Sequence, residues 1–168
     1  MARDFSGAVA DAYVRFRRGY PEPVIDAIVE QFGLGADDLA VDLGCGSGQL
    51  TLPLEARVGV VLGIDPEPDM LRHARISASE RGITNASFLI GADRDVAALV
   101  GERSIGALTV AVAIHWMDRD QLFRDVRPLL RPGGGIAVVT NGAPLWLQDA
   151  DWSRALRACL ETWTGERQ

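Results

Sequence analysis

A chain of 168 residues, 48% hydrophobic and with a formal net charge of −6, suits one domain with a single well-buried core and is too apolar for disorder. No run approaches the roughly 20 apolar residues of a bilayer-crossing helix, the first residues do not read as an apolar signal segment, and two distant cysteines, Cys45 and Cys159, make neither a disulfide framework nor a zinc spacing. The negative charge disfavours a phosphate backbone, so the expectation is a soluble cytoplasmic protein that binds no nucleic acid, no membrane and no metal.

Residues 1–38 read as an N-terminal helical segment. Within it, 21–32 starts near a proline and puts Val24, Ile25, Ile28, Val29 and Phe32 on one core-facing stripe. Apolar runs rich in valine and isoleucine predict strands at 39–43, 58–64, 86–90, 107–113 and 135–140. Between them, helical patterns cover 68–81, with Met70, Leu71 and Ala74 on one face, and 120–130, apolar at Leu122, Phe123, Val126, Leu129 and Leu130. Gly82 ends the first of these, and Arg131-Pro132-Gly133-Gly134-Gly135 is expected to stop the second and turn the chain. Such alternation predicts an α/β domain over 39–140, a mostly parallel sheet with helices on both faces. Residues 141–168 add a C-terminal helix near 149–163.

The first predicted strand runs into Asp42-Leu43-Gly44-Cys45-Gly46-Ser47-Gly48, followed by the helical Gln49-Leu50-Thr51-Leu52. Glycines let the main chain bend sharply and a ligand come close, and the first N–H groups of a new helix can meet an acceptor. Three glycines also fit a tight turn and nothing more. The dinucleotide fingerprint is GxGxxG, and three residues after Gly46 stands Gln49, which argues against NAD. Asp42 would repel a pyrophosphate and attract an ammonium group. S-adenosylmethionine has an ammonium, a carboxylate and a sulfonium but no phosphate, so it suits a loop of Asp42, Gly44, Cys45, Gly46 and Gly48. Asp65, 17 residues after Gly48, ends the second strand where ribose hydroxyls would be met; a cap for the helix near Pro66-Glu67-Pro68 is its other possible role.

In this order the motifs resemble the class I S-adenosylmethionine-dependent methyltransferases. The likeness lies in DLGCGSG, in GIDPEPDML, in Gly91-Ala92-Asp93-Arg94-Asp95, in Ala113-Ile114-His115-Trp116-Met117-Asp118 and in the turn at Arg131–Gly135. Within the family the chain is similar to bacterial small-molecule methyltransferases with a His-Trp-x-Asp segment and an N-terminal Tyr-x-x-x-Arg-Pro-x-Tyr-Pro segment. Here the latter runs from Tyr13 to Pro21, with Arg18 in place of the proline.

The resemblance implies a Rossmann-like, doubly wound sheet of order 3-2-1-4-5 and methyl transfer from S-adenosylmethionine to an oxygen, nitrogen or carbon of a small-molecule acceptor. It further implies that Asp42 and the glycines hold the methionine portion, Asp65 the ribose, and Pro66 with Met70 an apolar wall for adenine. Asp93 and Arg94 would stand at the adenine edge, Ala113 beside the cofactor, and Tyr13 and Arg17 would reach it from the N-terminal segment. His115 is the candidate catalytic residue, as a base with an ordinary pKa of about 6.5 or in a structural role, while Trp116 packs or shapes the pocket. His73, among Arg72 and Arg75, is expected to be a solvated surface residue.

After 140 the chain has no room for the family's usual sixth and seventh strands. A fragment of a longer enzyme is the favoured expectation, ahead of a last helix folded over the edge or a homodimer through that C-terminal edge. Trp146, Trp152, Leu156, Leu160 and Trp163 then read as helix packing or as a dimer or lid surface. The competing function is an S-adenosylmethionine-binding module without turnover of its own.

Overall fold

Alternate side chains of a strand point to opposite faces, so a strand buried at successive positions must be covered on both. Leu39–Leu43 (β1) is such a strand, and it lies at the centre of a five-stranded sheet in the computed structural model, which describes residues 6–140, 142 and 148–165. Val60–Asp65 (β2) and Ala86–Ile90 (β3) extend the sheet on one side of β1, and Ile105–Ala111 (β4) and Leu130–Val139 (β5) on the other. All four pairings are parallel and the order is β3-β2-β1-β4-β5, the expected Rossmann-like arrangement.

The helices are Gly7–Phe16 (α1), Glu22–Phe32 (α2), Thr51–Leu54 (α3), Pro68–Glu80 (α4), Val96–Leu99 (α5), Arg119–Val126 (α6) and Asp151–Thr164 (α7). On one face, Ile25 and Ile28 of α2 and Leu54 of α3 pack on Ala40, Val61 and Ala107. On the other, Val96 of α5 and Leu122 and Val126 of α6 pack on Val41, Leu43, Ile64 and Leu108. Each fully buried aliphatic side chain contributes about 1.5–3 kcal/mol, so these two layers dominate the stability. The predicted stripes of α2 and α4 are the buried ones, with Ala78 added to the latter. Phe123, expected in the core, is exposed.

Several predicted boundaries move. β2 starts at Val60, because the amides of Gly59 and Val60 both turn to the Asp38 carbonyl. β4 starts at Ile105, which has partners in both Leu39 and Leu130, and it ends at Ala111, so Ala113 lies beyond the strand. The turn expected at Arg131–Gly135 is instead an irregularity within β5: Leu130 pairs with Ile105 and Gly135 with Ala107, and the residues between bow out. Gly135 is needed there because a Cβ would stand 2.3 Å from Cε1 of Phe32 on α2.

Arg131 fastens this bow to the rest of the fold. Its guanidinium pairs with Asp38 and donates to the carbonyls of Phe32 (3.0 Å) and Gly33 (3.2 Å), which the end of α2 leaves without helical partners. Arg131→Met, which keeps the apolar stem, is expected to lose about 1.5 kcal/mol in urea denaturation at pH 7. Arg131 also holds the Asp38 carboxyl below its ordinary range. The Asp38 part of the contribution is therefore complete above the unfolded value of about 3.9 and is lost as pH falls through the lower folded one. The gap between wild type and variant narrows in acid, while the bonds to the Phe32 and Gly33 carbonyls remain.

β5 is the last strand on its side of the sheet, and among the described residues no strand pairs with its outer edge. On α7, Leu156 and Leu160 are half-buried while Trp152 and Trp163 stand exposed; Trp146 lies outside the described residues. Among the described residues no helix is long and apolar enough to cross a membrane, and no group of three or more His, Cys, Asp or Glu is placed to hold a metal ion.

Candidate functional site

Because β1 is followed by β2 on one side and flanked by β4 on the other, the chain leaves β1 and β4 in opposite directions and opens a crevice at their carboxyl ends. A cleft of about 560 Å³ lies there, within the range of small-molecule sites. It is lined by Gly44 and Gly46 from the loop after β1, Asp65, Pro66 and Met70 from the β2–α4 connection, and Asp93 after β3. Ala113, Trp116 and Met117 line it from beyond β4, and Tyr13 from α1. A side pocket of about 30 Å³ adjoins it, lined by Tyr13, Tyr20, Asp42, Cys45 and Gln49 among others.

The loop amides are not free for a ligand in the way the glycine pattern suggests. Gly44 and Cys45 both donate to the Ile64 carbonyl (2.8 and 3.1 Å), Gly46 donates to Asp65 Oδ2 (2.8 Å), and Gly48 to the Cys45 carbonyl (2.9 Å). The helix after the loop starts only at Thr51 and is a single turn. What the glycines provide is close approach. Gly44 has φ +71, and a Cβ on it would lie 2.6 Å from Ala113 Cβ, so the loops after β1 and β4 touch at a point only glycine permits.

Asp42 is fully buried, its oxygens accepting from Thr51 Oγ1 (2.6 Å) and Thr109 Oγ1 (2.9 Å). Burial outweighs the two hydroxyls, and with Asp65 nearby the carboxyl is pushed up to about 6. Asp65 is half-buried and raised by burial too, against the amides of Glu67 (2.9 Å) and Gly46 that lower it. Neither carboxylate has a cationic side chain as partner among the described residues. Each Asp65 oxygen accepts one bond from the main chain and has capacity for another, and the residue lines the cleft. The helix cap role falls to Glu67, whose side chain accepts from Asp69 N. Burial raises the Cys45 thiol, so it serves as an apolar side chain packed with Leu52 and Leu71.

The remaining predicted residues divide. Tyr13 lines both cavities, and burial raises its hydroxyl. Arg17 lines neither; its guanidinium lies 5.9 Å from the Tyr13 ring centre and its carbonyl accepts from Gln49 Nε2. Arg94 is exposed and outside the lining, whereas Asp93 lines the cleft and accepts from Asp118 N (3.2 Å), joining the loops after β3 and β4. Gly48 packs under the loop against Leu52 and Ala74. His115, in a short 3-10 helix, is exposed and outside the lining, with its ring 4.7 Å from that of Trp116, which does line the cleft.

His73 is not a solvated residue: only 18% of its side chain is exposed, because α1 folds over it and Asp11 Oδ1 sits 2.8 Å from its Nε2. Together with Gly7 N donating to Asp69 Oδ2 (2.6 Å), this contact docks α1 on α4 and brings Tyr13 to the cleft. The sequence reading did not place Glu67, Gly91, Ala92, Ala111, Val112 or Met117 in the lining. Most immediately follow strand ends, and a rule that ligands sit beyond the carboxyl ends of parallel strands would have found them.

Glycines and unpaired acids around a crevice at the switch point of a parallel sheet define a doubly wound cofactor-binding domain. Residues 40–134 match the model of a family described as methyltransferase domain, and the chain belongs to that family, as a class I S-adenosylmethionine-dependent methyltransferase domain. It is 32% identical over 125 residues to a Saccharomyces cerevisiae protein named "probable S-adenosylmethionine-dependent methyltransferase", covering 74% of this chain and 43% of that one. An uncharacterized methyltransferase of Mycobacterium bovis is 33% identical over 141 residues, covering 84% of this chain and 53% of that one. The chain thus spans about half the length of these relatives. Among solved structures, geranyl diphosphate C-methyltransferase of Streptomyces coelicolor, in complex with Mg2+, geranyl diphosphate and S-adenosyl-L-homocysteine, shares the fold with a TM-score of 0.63. That pair is 22% identical, covering 83% of this chain and 52% of that one.

Proposed function

We propose that this domain holds S-adenosylmethionine in the 560 Å³ cleft and directs its methyl group to a small-molecule acceptor. The observation that carries this reading is the pair of carboxylates, Asp42 and Asp65, flanking one glycine loop without cationic partners among the described residues. Buried charge is costly unless paired, and a cofactor with an ammonium and a sulfonium supplies what the protein leaves out. On this reading Asp42 and the loop receive the methionine end by way of the side pocket, Asp65 accepts from the ribose hydroxyls, and Pro66 and Met70 face the adenine with Asp93 near its edge.

When bound, the cofactor supplies an electrophilic methyl carbon. The chain contributes alignment: Tyr13, Trp116 and Met117 bring aromatic and apolar walls to the cleft, and they hold an acceptor against the cofactor and exclude water. His115 supports Trp116 from the solvent side, so the rate arises from proximity more than from a side-chain base. Calorimetric titration with S-adenosylhomocysteine and, separately, NADH tests the proposal. Binding of the first alone is the expected result; binding of NADH without the homocysteine compound would overturn it.

A further inference from the structure

β4 stays extended as far as Ala111, paired with Val139, and the next residue leaves that conformation abruptly: Val112 has φ +53. A positive φ is uncommon outside glycine, and for a β-branched side chain it is strained. The turn itself does not call for valine. It is held by the main chain, where Val112 N donates to the Val139 carbonyl at 2.8 Å, a bond glycine would make without strain. The turn also sets Ala113 down on Gly44 and starts the short helix that carries Trp116 to the cleft.

What valine adds over glycine is a side chain, and Val112 is a half-buried residue of the lining of the cleft that Gly44, Asp65 and Trp116 share. A strained residue persists where the surroundings over-determine it, and strain at a ligand site is evidence for a role there. We propose that Val112 is a ligand-contact residue: the chain accepts a strained backbone at the end of β4 so that an isopropyl group can press the bound cofactor toward the glycine loop. The identity of the ligand rests on the proposed function above; the strain does not.

The test compares wild type, Val112→Gly and Val112→Ala in the full chain, by thermal unfolding without ligand and by titration with S-adenosylhomocysteine. Both variants lose the isopropyl group, but alanine keeps the penalty of positive φ and glycine sheds it. The glycine variant is expected to melt several degrees above the alanine variant, the reverse of their order at an ordinary φ. Both are expected to bind S-adenosylhomocysteine roughly fivefold or more weakly than wild type, the scale for losing part of one apolar side chain from a site. Alanine melting above glycine would show that no strain is held at this position and overturn the proposal. Wild-type affinity in both variants would overturn it from the other side, by removing the contact. If wild type itself does not bind the compound, the cofactor reading fails and the contact with it, while the order of the two melting points still reports the strain.

Discussion

Asp42→Asn is expected to give a protein more stable than wild type at pH 7.5 and weaker in cofactor binding. The Asp42 carboxyl is pushed up to about 6 by burial, against about 3.9 in an unfolded chain, so folding favours its protonated form. Wild-type stability therefore falls as pH rises from about 4 through 6 and levels off above, a loss of roughly 3 kcal/mol from this one group. Asparagine has no charge to bury and no such dependence. The hydrogen bonds can adjust, because Thr109 Oγ1 already lies 3.4 Å from the Val41 carbonyl as a second acceptor, which frees its lone pair for the new amide. Urea midpoints at pH 4 and 7.5 check the sign: the two proteins should coincide at the first and separate at the second, with asparagine higher. Affinity for S-adenosylhomocysteine should move the other way, by roughly 1–3 kcal/mol, since the ammonium loses its charged partner. Stability gained without affinity lost would mean that Asp42 merely ties β1 to Thr51 and Thr109.

That opposition explains why the site was more legible in the sequence than the edges of the fold. Asp42 and Asp65 break runs of apolar residues at the ends of β1 and β2, where a core strand has no use for a carboxylate, so local sequence alone marks them. β1 and the stripe of α2 were equally plain, because Ala40, Val41, Ile25 and Ile28 are apolar at the right period and buried for that reason. Where β4 and β5 begin depends instead on partners distant in sequence. Ile105 is strand because Leu39 and Leu130 flank it, and Arg131–Gly135 bows within a strand because Arg131 reaches Asp38 and the end of α2. α1 has one buried residue, Ala10, and is held by Asp11 and Gly7 on α4, contacts that leave no periodic signature. The same limit hid Val112, since a valine at φ +53 looks in sequence like any other strand valine.

Asp65→Ala is expected to cost roughly 1–3 kcal/mol in affinity for S-adenosylhomocysteine, the scale for losing hydrogen bonds to a charged group, and to loosen the loop as well. The two effects have different origins and can be separated. The carboxylate holds Gly46 N and Glu67 N, so alanine leaves the loop and the start of α4 each without an acceptor, and part of any lost affinity would come from a loop no longer fixed to β2. Asp65→Asn keeps one oxygen and the side-chain volume while removing the charge. If the ribose is held by charge-assisted bonds, asparagine should lose most of the affinity that alanine loses but only part of the stability, since its oxygen still accepts from one of the two main-chain N–H groups while its NH2 faces the other. If Asp65 acts only as a strut for Gly46, asparagine and alanine should differ in affinity as widely as they differ in melting temperature. Because burial raises Asp65, its ionised form is the costlier one to fold, and removing the charge should offset part of the lost main-chain bond as pH rises above about 4. A melting temperature for Asp65→Asn between those of wild type and the alanine variant, beside an affinity close to that of the alanine variant, is the combination that assigns Asp65 to the ligand.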